Sequence, residues 1–268
     1  MKTAVLNSML SILIAAFSFG IAAAAVDNDV VLAMPFEEGV GEDTKDLSPH
    51  ENHGTFNGNV TWADGKFGSA LRFEPVSFVD AGRDESLSLS DTDFTIAAWV
   101  NMEETAVQQH GFLGQDEGGG SKNKWIFRYN KAQSIKLNFV AYNSGPARAA
   151  QLDSKLWEPK PAANRWYQVA VVREGDDYTF YIDGKPHSMA SDDLVIPPVI
   201  EAPLTVGWAE GPIATDGIID EVLILRRAFT DLEIQTHFKG GLAQVLAVQS
   251  HGKLATTWAS LKATLTFR

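Results

Sequence analysis

The sequence predicts an all-β fold of many short antiparallel strands, with one short helix near the C-terminus. Apolar residues recur with a period of two from Val30 to Leu225, and Gly, Asp, Asn and Pro fill the intervals, which is the pattern of many short strands joined by turns. A single helix signature follows at Thr230.

The first element is not part of the fold. Met1 to Ala25 carries one cation at Lys2, an apolar run from Met9 to Ile21 and small residues at Ala23 and Ala25, the composition of a secretory signal with cleavage expected after Ala25. The apolar run is shorter than the roughly 20 residues a membrane-spanning helix needs. The mature chain is therefore expected in a secreted, periplasmic or cell-envelope location, without a transmembrane anchor.

The clearest strand is Phe94 to Asn101. Phe94, Ile96, Ala98 and Val100 share one face while Ala97 and Trp99 take the other, so both faces are expected to be covered. Trp99 and Trp166 read as core. Trp166 to Arg173 and Tyr178 to Asp183 read as a hairpin across a short polar loop. Asp183-Gly184 supplies a second tight turn, because glycine tolerates the positive φ of primed turns, and His187 to Met189 leads away as a third strand. Leu204 to Trp208 and Ile218 to Leu225 complete the strands. Thr230 and Glu233 have capping-box spacing, and Phe229 and Ile234 flank them as a hydrophobic staple, which predicts a helix from Asp231 to about Phe238, stopped by Gly240-Gly241. These boundaries divide the chain into a signal (1–25), one domain (26–240) and a tail (241–268) of unassigned role.

Five segments, in order, resemble the laminin G-like, concanavalin A-like jelly rolls. They are Asp46 to Gly54, Gly65 to Phe73, Phe94 to Val100, Trp166 to Arg173 with Tyr181 to Gly184, and Gly217 to Leu225 followed by Arg227 to Ile234. The resemblance covers Val30 to Phe238. It implies a two-sheet antiparallel jelly-roll sandwich in which the N-terminal strand lies near the C-terminal one. It speaks to fold more than to function.

The chain has 22 Lys and Arg against 34 Asp and Glu, a net charge of −12, and no cysteine. No cationic run follows a phosphate backbone, so nucleic acid is excluded as the expected partner. A glycan or an extracellular or envelope protein suits the composition better.

The resemblance also implies one structural Ca²⁺, with Asp46 and Asp220 at the matching positions and carbonyls of Asn52 and His53 as further oxygen ligands. Glu221 is expected to point away from Asp220. The competing reading of the same residues makes Asp46 a turn former and Asp220 an acceptor of backbone hydrogen bonds. His50 and His53 lack a third ligand for zinc.

Glucanases that share this fold resemble one another in a Glu-x-Asp-x-x-Glu string, which this sequence lacks. Glu174-Gly-Asp176 is its nearest fragment, in a hairpin loop, and a Gly-x-Ser-x-Gly elbow is also missing. Trp125, Tyr129, Tyr142, Trp157 and Trp208 lie in or beside expected loops, where aromatic rings stack on sugars or pack beneath the chain. Trp125, Arg128, Tyr142 and Trp157 form the candidate ligand group. The leading expectation is a secreted, non-catalytic recognition domain. A carbohydrate-active enzyme on the same fold and a structural or adhesive envelope component are its rivals.

Overall fold

A computed structural model describes residues 27–90, 92–103, 109–119, 122–131, 135–199 and 201–247. The expected export signal, with its expected cut after Ala25, and the tail beyond 247 lie outside the described residues. The strands in chain order begin with β1 Val30–Met34, β2 Asp43–Thr44, β3 Gly54–Asn57, β4 Val60–Asp64, β5 Ser69–Phe73 and β6 Phe78–Asp80. They continue as β7 Phe94–Met102, β8 Gln109–Asp116, β9 Lys124–Asn130, β10 Lys136–Asn143, β11 Arg148–Asp153 and β12 Trp166–Glu174. The last are β13 Asp177–Ile182, β14 Lys185–Ser191, β15 Leu204–Val206, β16 Trp208–Glu210, β17 Ile213–Ala214 and β18 Gly217–Leu225. Residues 231–247 are helical and form α1.

Among the described residues the strands build two eight-stranded sheets and one small hairpin. Sheet A runs β14-β13-β12-β7-β18-β5-β4, with β1 added to β18; sheet B runs β11-β10-β9-β8-β15-β6-β3-β2. Every pairing is antiparallel. Strand β1 meets β18 through Ala33 and Leu223, so the first strand does lie against the last, as the resemblance implied.

The alternation in β7 sorts its side chains as the sequence predicts. Phe94, Ile96, Ala98 and Val100 enter the core between the sheets, while Ala97 joins a second apolar cluster outside sheet A and Trp99 stacks there on Phe238. The β12–β13 turn is tight, with Glu174 paired to Asp177. Asp183 and Gly184 take φ of 48° and 74°, the left-handed pair a primed turn demands. Trp166, expected in the core, is half-buried at the start of β12.

Thr230 and Glu233 close the capping box. The Thr230 backbone N–H donates to Glu233 Oε2 at 2.9 Å and the Glu233 N–H donates to Thr230 Oγ1 at 3.3 Å. Phe229 and Ile234 are buried together, as a staple requires. The helix does not end near Phe238. It passes through Gly241, whose φ is +59°, and reaches 247, because Leu242 and Val245 continue the apolar face that covers sheet A. The glycine pair interrupts the helix without ending it.

Candidate functional site

The outer faces of the two sheets differ. On sheet A, Ala33, Ala97, Ala170, Val172, Tyr181, Leu223 and Leu225 pack against Phe229, Ile234, Leu242 and Val245, so α1 covers the middle of that face, while Met189 on β14 stays 65% exposed. On sheet B the hairpin β16–β17 covers only a patch, where Ala209 and Ile213 meet Ile126 and Val140. Glycines in β8 permit that approach. A Cβ on Gly111 would sit 2.7 Å from the Ile213 carbonyl oxygen, and one on Gly114 would sit 3.1 Å from Ala209 Cβ.

Beside the hairpin, the outer face of sheet B carries a transverse polar row. Arg128 on β9 stands in register with Asn138 on β10, and Asn138 with Asp153 on β11. Arg128 Nε donates to Asn138 Oδ1 at 2.7 Å and Nη1 donates to Gln109 Oε1 at 2.5 Å. Asn138 Nδ2 donates to Asp153 Oδ1 at 2.7 Å, while Lys136 Nζ lies 3.4 Å from Asp153 Oδ2. The guanidinium is half-buried, and desolvation holds its pKa below the usual value. Two rungs along the same face, Lys124 bridges Glu210 at 2.7 Å and Asp116 at 3.4 Å and pairs in register with Tyr142. Gln109, Arg128 and Asp153 are partly exposed, while Asn138 is 0% exposed and holds Arg128 and Asp153 in place, so the ligand-facing groups are an amide, a guanidinium and a carboxylate suited to hydrogen-bonding hydroxyls.

The candidate ligand group does not converge. Trp125 lies inside strand β9 rather than beside a loop, and the period of two that sends Arg128 outward sends Trp125 inward, fully buried, with Nε1 donating to Gln115 Oε1 at 3.0 Å. Trp157 is also buried, edge-on to Tyr129 and Tyr167. Arg128 and Tyr142 share the outer face of sheet B, about 13 Å apart by strand rise. Asn138, Gln109 and Asp153 were not singled out from sequence, because their significance depends on cross-strand register.

The expected calcium ligands fall into separate networks. Asp46 Oδ1 accepts the N–H groups of Ala33 at 2.7 Å and Ser48 at 2.9 Å, and Oδ2 accepts from Ser48 Oγ at 2.5 Å and the Asn52 N–H at 2.9 Å. Four donors occupy this carboxylate. His53 Nδ1 accepts the Asp46 N–H at 3.1 Å, and Asn52 Nδ2 donates to the Val31 carbonyl and Ser86 Oγ. Asp220 instead accepts the Lys66 and Phe67 N–H groups on Oδ2 at 2.8 and 3.1 Å. Among the described residues no three acidic or imidazole side chains converge on a metal-sized space. The hydrogen bonds of Asp46 and Asp220 go to backbone N–H and hydroxyl donors, the pattern of the turn and backbone-acceptor reading.

Glu221 does not point away from Asp220. The register shifts between Asp220 and Leu223, and Glu221 takes φ of 56°, a bulge that turns both carboxylates toward the side covered by α1. Glu221 Oε2 accepts the Leu242 N–H, and His237 Nε2 donates to the Glu221 carbonyl at 2.9 Å. Burial pushes the Asp220 carboxyl up to about 8 and the Glu221 carboxyl up to about 7, and lowers His237 to about 4. Asp220 and Glu221 are 0% and 3% exposed, so no substrate reaches this acid pair.

The fold has counterparts among solved structures. Domain 4 of AbnA, a GH43 extracellular arabinanase from Geobacillus stearothermophilus seen in complex with arabinotriose, matches with a TM-score of 0.63 at 16% identity, over 77% of this chain and 96% of that one. The binding domain of Paraclostridial Mosquitocidal Protein 1 matches with a TM-score of 0.60 at 17% identity, over 79% and 52%. The botulinum neurotoxin serotype D ligand binding domain, in complex with N-acetylneuraminic acid, matches with a TM-score of 0.58 at 10% identity, over 80% of this chain and 52% of that one. This chain spans about half of each toxin domain, and identities this low establish fold alone. No curated protein matches the sequence. A family model described as the concanavalin A-like lectin/glucanases superfamily matches residues 78–235, more than half of the chain. With the two-sheet sandwich described above, the chain belongs to the concanavalin A-like lectin/glucanase superfamily.

Proposed function

We propose that this protein is a non-catalytic glycan-recognition domain that works outside the cytoplasm and reads sugar hydroxyls on the outer face of sheet B. The observation that carries the reading is the partly exposed set Gln109, Arg128 and Asp153, held in register by the buried Asn138 on the face that α1 does not cover. Each group is already oriented by a neighbour, so little side-chain freedom is lost when a ligand docks. The sugars in the complexes of two structural neighbours, arabinotriose and N-acetylneuraminic acid, support a carbohydrate ligand. The signal-like N-terminus supports export, and no helix among the described residues is long and apolar enough to cross a membrane.

A glycan array that includes arabinan fragments and sialosides, probed with the recombinant chain, tests the reading. Binding is expected, with Arg128→Ala weakening it about tenfold through loss of one charge-assisted hydrogen bond, and Asn138→Ala weakening it by a smaller factor because it releases the Arg128 and Asp153 side chains it positions. An array without a hit, or a hit unaffected by both substitutions, counts against it.

A further inference from the structure

Phe78 and Trp208 stack on each other with ring centroids 5.2 Å apart and an interplanar angle of 27°. Both are half-buried, and neither belongs to the apolar clusters of the described residues or packs against them. An aromatic ring ordinarily finds its place in a core, so a stacked pair held outside one calls for another explanation.

The local sequence builds this pair. Strand β15 ends at Val206, and Gly207 follows with φ of +94°; a Cβ there would lie 2.3 Å from Phe73. Only glycine lets the chain cross so close to that ring and then lift Trp208 over the outer face of sheet B. The indole is pinned, its Nε1 donating to the Gly211 carbonyl at 3.0 Å, and Thr205 Oγ1 donates to the Trp208 carbonyl at 2.5 Å. Phe78 stands on β6 in register with Asn57 on β3. Asp80, on the same face as Phe78, accepts the Gly82 N–H on Oδ1 at 2.8 Å.

We infer that Phe78 and Trp208, with Asn57 and Asp80 beside them, form a second subsite that receives the apolar face of a neutral sugar ring. The electron-rich ring faces attract the weakly positive C–H groups of such a face, while the amide and carboxylate take hydroxyls at its edge. The carboxylate of Asp80 and the net charge of −12 disfavour an acidic sugar here. Three strand spacings separate β6 from β9, which puts Phe78 about 14 Å from the Arg128 row, and Trp208 is the first residue of the β16–β17 hairpin that lies on the sheet between the two. The inference rests on the glycan-recognition reading and adds the ligand class at a distinct place on the same sheet.

The test labels the full chain with 5-fluorotryptophan, assigns the Trp208 resonance with Trp208→Phe, and titrates cellohexaose, xylohexaose, laminarihexaose and chitohexaose in turn. At least one sugar is expected to move the Trp208 resonance, and Phe78→Ala and Trp208→Ala are expected to weaken that sugar about tenfold with an unchanged melting temperature. If a variant fails to fold, the resonance shift in the unsubstituted chain decides by itself. A Trp208 resonance that stays fixed with all four sugars overturns the inference. If array glycans still bind in an Arg128-dependent way, glycan recognition stands without this subsite; if nothing binds the unsubstituted chain, both readings fall.

Discussion

Asp220 and Trp99 face each other across β18 and β7, and each keeps one buried polar atom, carboxylate Oδ1 and indole Nε1, without a partner among the described residues. Two such atoms side by side beneath α1 make this the least satisfied part of the interior. It is also where the bulge at Glu221 and the left-handed Gly241 meet.

The pH dependence of stability follows from these buried groups. The raised carboxyls of Asp220 and Glu221 favour the protonated folded state, so their contribution is present at low pH and is lost as pH rises toward about 8 and about 7. The lowered His110 and His237, both near 4, act oppositely between about 4 and the ordinary imidazole value of 6.5. Above 6.5 only the acids remain, so the melting temperature is expected to fall between pH 6.5 and 8. Asp220→Asn removes the ionisable group, and its stability gain over the unsubstituted chain should grow with pH by on the order of 1 kcal/mol per unit. Melting curves at pH 5, 6.5 and 8 check this; a pH-independent difference contradicts it.

Gly241→Ala should destabilise the fold. Its φ of +59° disfavours a side chain, and the new Cβ would sit 2.5 Å from the Glu221 carboxylate. A loss of about 2–4 kcal/mol in urea unfolding is expected. A variant as stable as the parent would mean that the 241–247 segment is not docked on sheet A.

Trp125→Ala should act on stability rather than on recognition. The ring is fully buried against Phe139, and its removal is expected to cost about 3–5 kcal/mol. Denaturant unfolding measures the loss, and a folded variant that loses only ligand affinity would return Trp125 to the binding site.

Asp46→Ala removes the acceptor of four hydrogen bonds and should lower stability by about 2–4 kcal/mol, by the same amount with and without a chelator. Calcium titration and chelation of the unsubstituted chain complete the experiment. A melting temperature that drops by several degrees on chelation and recovers with calcium would show a metal that these networks do not account for.

Thr230→Ala opens the capping box and should cost about 1 kcal/mol, a shift of roughly 2–4 °C in melting temperature. Thr230→Ser should restore most of it.

Much of the fold was legible along the chain because its causes are local. Alternation in β7 assigned Phe94, Ile96, Ala98 and Val100 to one side, Asp183-Gly184 marked its turn, and Thr230 with Glu233 started α1. The same alternation misled where strand was mistaken for loop edge, since Trp125 at an interior position of β9 must turn inward when Arg128 turns outward. Register and bulges are properties of paired strands. Hence only the tertiary structure could place Arg128, Asn138 and Asp153 in one row, set Glu221 on the same side as Asp220, and lift Trp208 onto Phe78. The sequence by itself determined a chain of short antiparallel strands with a helix at its end, because burial periodicity and capping act within a few residues, and its resemblance to the jelly rolls added the two-sheet sandwich. Which strands α1 covers, and which polar groups meet on the outer face of sheet B, was decided by contacts between segments far apart in the chain, and short-range patterns carry no record of those.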